Sequence, residues 1–206
     1  SAYARNFLQD RLTQLKAKLE ESEKALVAYA EQKEIVSAGE KQTLAQTNLQ
    51  AANNDYAKAS TERLRAQLLW EQAQSADGLS LPQVLQDTAV QNLRAKRADL
   101  AASYQDKLGL FKPAYPEMKQ LRGQIDEIDR QITAEVTVIK ESIKARYDAA
   151  TAQEQSLADQ VRRLKGDVTD FQNRNIQYTI LQREADTNRQ LYDGLLQRYK
   201  EIGVAG

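Results

Sequence analysis

Cysteine and histidine are both missing from this 206-residue chain. The first absence removes disulfides, thiolate chemistry and sulfur-ligated metals, and it leaves the compartment undecided. Neither sign of charge prevails, since 29 Lys and Arg face 29 Asp and Glu. The signs alternate along the chain, so no broad field favours nucleic acid or an anionic bilayer. Proline (3), glycine (8) and aromatics (6%) are all scarce. No stretch approaches the roughly 20 apolar residues of a membrane-spanning helix, and no basic-then-apolar signal opens the chain. Phosphate-cradling loops are missing too, in both the Gly-x4-Gly-Lys-Ser/Thr and the Gly-x-Gly-x2-Gly form. The chain therefore offers no kinase chemistry.

What remains is Ala, Gln, Leu, Lys, Arg, Asp and Glu, the composition of long helices. Length alone allows one ordinary domain, but these contents predict an all-α, elongated antiparallel coiled-coil hairpin or bundle. Apolar spacing places helices at about 3–36, 40–76, 82–109 and 116–202, with turns near 37–39, 77–81 and 110–116. The first helix carries Leu8, Leu12, Leu15, Leu19, Ser22, Leu26 and Tyr29 at heptad spacing, with Glu20 and Lys24 set for an i,i+4 pair. Ile35-Val-Ser-Ala-Gly-Glu40 interrupts it, with Ser37 as a cap, giving either a kink or a full reversal. The second helix has a seam of Leu49, Ala52, Tyr56, Ala59, Arg63, Ala66, Trp70 and Ala73, half of it small residues that admit a close neighbour. Leu44, Leu64, Leu68 and Leu69 lie off that seam, so the helix is expected to touch two partners.

Every proline lies between residues 82 and 116, which marks the middle of the chain as the place where direction changes. Asp77-Gly-Leu-Ser-Leu-Pro82 reads as stop, turn and restart. A third helix follows with Leu85, Leu93, Leu100 and Leu108. Gly109-Leu-Phe-Lys-Pro-Ala-Tyr-Pro116 then forces an extended turn. From Pro116 one apolar stripe runs through Leu121, Ile125, Ile128, Ile132, Ile139, Leu157, Val161, Leu164, Val168 and Phe171, slipping phase near Val136 and Ile176. Unbroken, about 85 residues at 1.5 Å each would span about 127 Å.

The last part combines a seam (Tyr178, Leu181, Ala185, Asn188, Tyr192, Leu195, Tyr199, Ile202) with a dense polar set, Arg183, Glu184, Arg189, Arg198 and Glu201. These residues are candidates for contact between protomers, with Asn188 fixing register as a buried polar group in a coiled coil. Asp126-Glu-x-Asp129-Arg130 places three carboxylates on one turn, and Arg94-x-Lys-Arg97 and Arg162-Arg-x-Lys165 form basic clusters. All three are read as solvated faces, so no catalytic, metal or cofactor residue is assigned. The tyrosines at seam positions are read as packing.

Three stretches resemble the periplasmic region of polysaccharide co-polymerases, the chain-length determinant and exopolysaccharide-export family. They are Phe7-Leu8-x3-Leu12-x2-Leu15-x3-Leu19-x3-Glu23, Phe111-Lys-Pro-Ala-Tyr-Pro116 with Leu121, and Tyr178 to Gly206. The resemblance implies a non-enzymatic periplasmic module of a bacterial inner-membrane protein. It implies an excised segment whose flanking membrane helices are left out, with any tyrosine autokinase domain elsewhere. Its implied partners are copies of itself, a polysaccharide polymerase and an outer-membrane exporter, and not nucleic acid. The rival reading is the hairpin of a periplasmic adaptor from an efflux or type I secretion system, which would be flanked by β-strand pairs. A tethering coiled coil is a third, and it predicts a parallel dimer without proline-marked reversals.

Overall fold

The computed structural model describes residues 1–75 and 77–205, without the side chains at 36–38 and 205. Among the described residues the chain is all-α, as composition predicts: α1 (Ala2–Gln32), α2 (Ile35–Ser75), a 3-10 turn at Gly78–Ser80, α3 (Pro82–Leu85), α4 (Thr88–Lys107) and the long C-terminal α5 (Pro116–Ala205). None of these helices is long and apolar enough to cross a membrane. Two compact units are formed, Ser1–Asn53 with Asp159–Gly206, and Asn54–Ala158.

In the first unit α1 lies antiparallel to the end of α5. Ser1 caps α1 by accepting from the Ala4 N–H at 3.3 Å. The predicted stripe is the one that turns inward: Leu12, Leu19 and Ser22 are buried, and Leu8, Leu15, Leu26 and Tyr29 are half-buried. Each of the two buried leucines contributes about 2 kcal/mol by leaving water. Glu20 and Lys24 do not pair; the ion pair from this face joins Glu23 to Arg189 instead.

The break after α1 falls earlier than expected. Lys33 is the C-cap, and Glu34 takes the left-handed conformation (φ 54°) usual for glycine just past a helix end. Gly39, where the interruption was expected, lies inside α2. Ser37, expected to cap the second helix, likewise lies inside α2, which starts at Ile35; the predicted helix end at 76 and Gly206 lie outside the described residues. At this break α5 passes from one helix to the next. The Tyr29 hydroxyl donates to the Arg174 carbonyl at 3.4 Å, and Asn175 donates to Gln42 at 2.5 Å.

In α2 the inward column is Ala45, Ala52, Ala59, Ala66 and Ala73, each 8% exposed or less. Leu44, Leu64 and Leu68 remain exposed, so within this chain α2 uses one face, with Leu69 added to the core. In the second unit that core joins Ala73, Leu81, Val84, Val90 and Ile143. It also explains why the predicted third helix is broken at Gln86 and Asp87. Residues six apart on an unbroken helix point about 120° apart, so Val84 and Val90 reach one core only if the helix stops and restarts between them. Asp87 makes the restart by accepting from the Val90 N–H at 2.9 Å. As a result Leu85, expected in the stripe, is 44% exposed.

α4 returns against α5 through a turn in which Phe111 and Tyr115 stack at 4.4 Å. Ion pairs Lys107–Glu117 and Arg97–Asp129 fix the antiparallel register. Along α5 the buried stripe shows the phase slips. Ile128–Ile132–Val136 and Ile139–Ile143–Tyr147 each take two consecutive four-residue steps, and Asn175–Tyr178–Leu181 takes two three-residue steps. Such steps relax or tighten a supercoil locally.

Candidate interaction surface at the paired helix ends

The predicted site residues divide by the face of α5 they occupy. Tyr178, Leu181, Asn188, Tyr192, Leu195 and Tyr199 belong to the inward stripe and are half-buried around the buried Ala185. Arg183, Glu184, Arg189, Arg198 and Glu201 are exposed. This is the outcome heptad spacing dictates, because residues off the seam have no partner helix to cover them.

Asn188 meets the one buried polar residue of α1. Its amide donates to Ser22 Oγ at 2.5 Å, while that hydroxyl donates to the Lys18 carbonyl at 2.8 Å. At the next residue of each helix, Arg189 reaches Glu23 at 2.6 Å. The Glu23 carboxylate holds the Arg189 guanidinium above its ordinary pKa, chiefly through that hydrogen bond. Arg183, Glu184, Arg198 and Glu201 form no ion pair among the described residues. Arg198 and Glu201 instead border a cleft with Tyr3, Phe7 and Ile202, and Tyr3 and Phe7 are 83% and 60% exposed.

Two further polar pairs stand where seams meet. Gln42 takes the hydrogen bond from Asn175, and Arg63 Nε donates to both carboxylate oxygens of Glu154 at 3.2 and 3.0 Å. Reading one stripe at a time placed Arg63 in a seam but did not find Glu154. The signal was its position, between Ala150 and Leu157 on the apolar stripe of α5.

The acidic turn of α5 is divided among arginines: Asp126 with Arg122, Glu127 with Arg130, and Asp129 with Arg97. Hydrogen bonding from Arg130 holds Glu127 below the usual carboxylate range, and donation to Asp129 holds Arg97 above the usual guanidinium range. Of the second basic cluster, Arg162 is tied to Asp159 on its own helix.

No protein-family model matches the chain. No solved structure matches it either. Among curated proteins, the succinoglycan biosynthesis transport protein ExoP of Rhizobium meliloti (strain 1021) is 24% identical over 115 residues, covering 56% of this chain. The match spans 15% of that relative's length.

Proposed function

We propose that this chain is a non-enzymatic helical module of an exopolysaccharide co-polymerase, projecting into the periplasm from an inner-membrane protein and organising polymerisation, chain length and export. The observation that carries this reading is the similarity to a transport protein of succinoglycan biosynthesis over 115 residues. The paired helices agree with a structural role, since their buried groups are spent on packing and register. In this reading the module acts by geometry. α5 holds a fixed register against α1 through the Asn188–Ser22 pair, and the outward Arg183, Glu184, Arg198 and Glu201 meet neighbouring copies. Partners are then further copies, a polysaccharide polymerase and an outer-membrane exporter, with anchorage through flanking membrane helices.

The test is charge reversal on the outward face, Arg183→Glu with Arg198→Glu, in the full-length protein in its native bacterium. Expected outcomes are loss of chemically crosslinked oligomers and a shifted polymer size distribution, with unchanged helicity of the purified chain. Wild-type oligomers and wild-type polymer size would refute the reading.

A further inference from the structure

We infer that the cleft bounded by the Asp77–Leu79 turn, α4 and α5 binds an acidic saccharide, taking a sugar carboxylate on Arg94 and Lys140. The cleft lies wholly within the second unit and encloses about 600 Å³, inside the size range of small-ligand sites.

Three cations line it, and only one is spoken for. Arg97 is locked on Asp129 by bonds of 2.5 and 3.3 Å. Arg94, one turn earlier on α4, and Lys140, half-buried on α5, have no carboxylate partner among the described residues. Gly78 keeps the floor open. A Cβ there would stand 2.5 Å from Val136 Cγ1 and 3.5 Å from Lys140 Cε, so any side chain would fill the space beside the ammonium.

The remaining lining selects a polyol over a bare anion. Thr133 and Thr137 give their protons to the Asp129 and Thr133 carbonyls at 3.0 and 2.9 Å, which leaves their oxygens as acceptors. Asp77 and Asp129 add carboxylate acceptors, and the nearby Leu79 N–H is already taken by Asp77. A phosphate needs converging donors, whereas this wall is mostly acceptors beside two free cations. Sugar hydroxyls with one carboxylate satisfy both. Leu79, 42% exposed, and Val136 provide apolar surface for the C–H face of a ring.

The word saccharide rests on the proposed function; the free cations and the acceptor wall do not. The experiment is calorimetric titration of this chain at low salt with trigalacturonate, neutral maltotriose and inorganic phosphate. Trigalacturonate is expected to bind best, to weaken from 50 to 200 mM NaCl, and to lose at least about tenfold in affinity in Arg94→Gln/Lys140→Gln. Arg162→Gln/Arg163→Gln should bind as wild type, and both variants should melt as wild type. The assignment is overturned if maltotriose or phosphate binds as tightly, if the Arg94/Lys140 variant binds unchanged, or if no probe binds. Because this titration needs no cell, its failure leaves the polymer-size test untouched. Retained binding with a failed polymer test would sink the functional reading and keep the cleft.

Discussion

Polar side chains placed in apolar seams act as rungs: Ser22 with Asn188, Gln42 with Asn175, and Arg63 with Glu154. A leucine seam tolerates sliding by one heptad, because every apolar contact is replaced by another. A polar rung does not, since a slip leaves its groups facing hydrocarbon. Asn188→Leu is therefore expected to keep or raise the melting temperature while loosening register. A chain free of native cysteine allows the check directly, with spin labels at Gln9→Cys and Gln197→Cys, both exposed positions. Wild type should give one distance distribution. The Leu variant should add a second, from chains slipped by about 10 Å along the axis, the rise of one heptad. A single unshifted distribution in the variant would show that the rung does not set register.

At the scale of elements, the informative joint is the one between α1 and α2. A non-glycine residue at positive φ costs about 1 kcal/mol, and Glu34 bears that cost while Gly39 sits inside a helix with nothing within 4 Å of its would-be Cβ. Glu34→Gly and Gly39→Ala should each stabilise by about 1 kcal/mol, measured by urea unfolding. Loss of the exposed Glu34–Lys41 pair subtracts little. No gain from either substitution would contradict the assigned joint. This joint also shows where sequence reasoning runs out. Periodicity reports which face of a helix is buried, so the stripes of α1 and α5 were legible residue by residue, while in α2 Tyr56, expected in the seam, is exposed. The end of a helix depends on the φ of a single residue, and composition pointed to the wrong one. The gap in the third helix had the same origin, since it follows from two valines sharing one core rather than from any breaker residue. Of the candidate surface, the split between inward and outward residues was legible from spacing. The partners of the polar residues were not, because one stripe does not say what stands opposite.

For the whole chain, the composition fixes how it answers to acid and base. With no histidine or cysteine, no side chain has an ordinary pKa between about 5 and 8, so the melting temperature should be flat from about pH 5.5 to 9. Glu127 titrates lower in the folded state, so its contribution is complete above the ordinary carboxylate value near 4.3 and disappears as pH falls through its folded value. Arg97 and Arg189 titrate higher when folded, so what they add is present throughout this range and is lost only in extreme alkali. Glu127→Gln should therefore make the acid decline shallower, by a small amount that 0.5 M NaCl reduces further, as expected of an exposed pair. An acid decline as steep as wild type would show that the Arg130 contact adds nothing.

The alanine column of α2 bears on how such a chain can drift. Ala45, Ala52, Ala59, Ala66 and Ala73 occupy the tight positions with the smallest side chain that still favours a helix, so nearly every replacement enlarges the step and glycine alone reduces it. Variation there is one-directional. It can push α2 away from its neighbour but can scarcely draw it closer, so the present spacing is already near its lower bound.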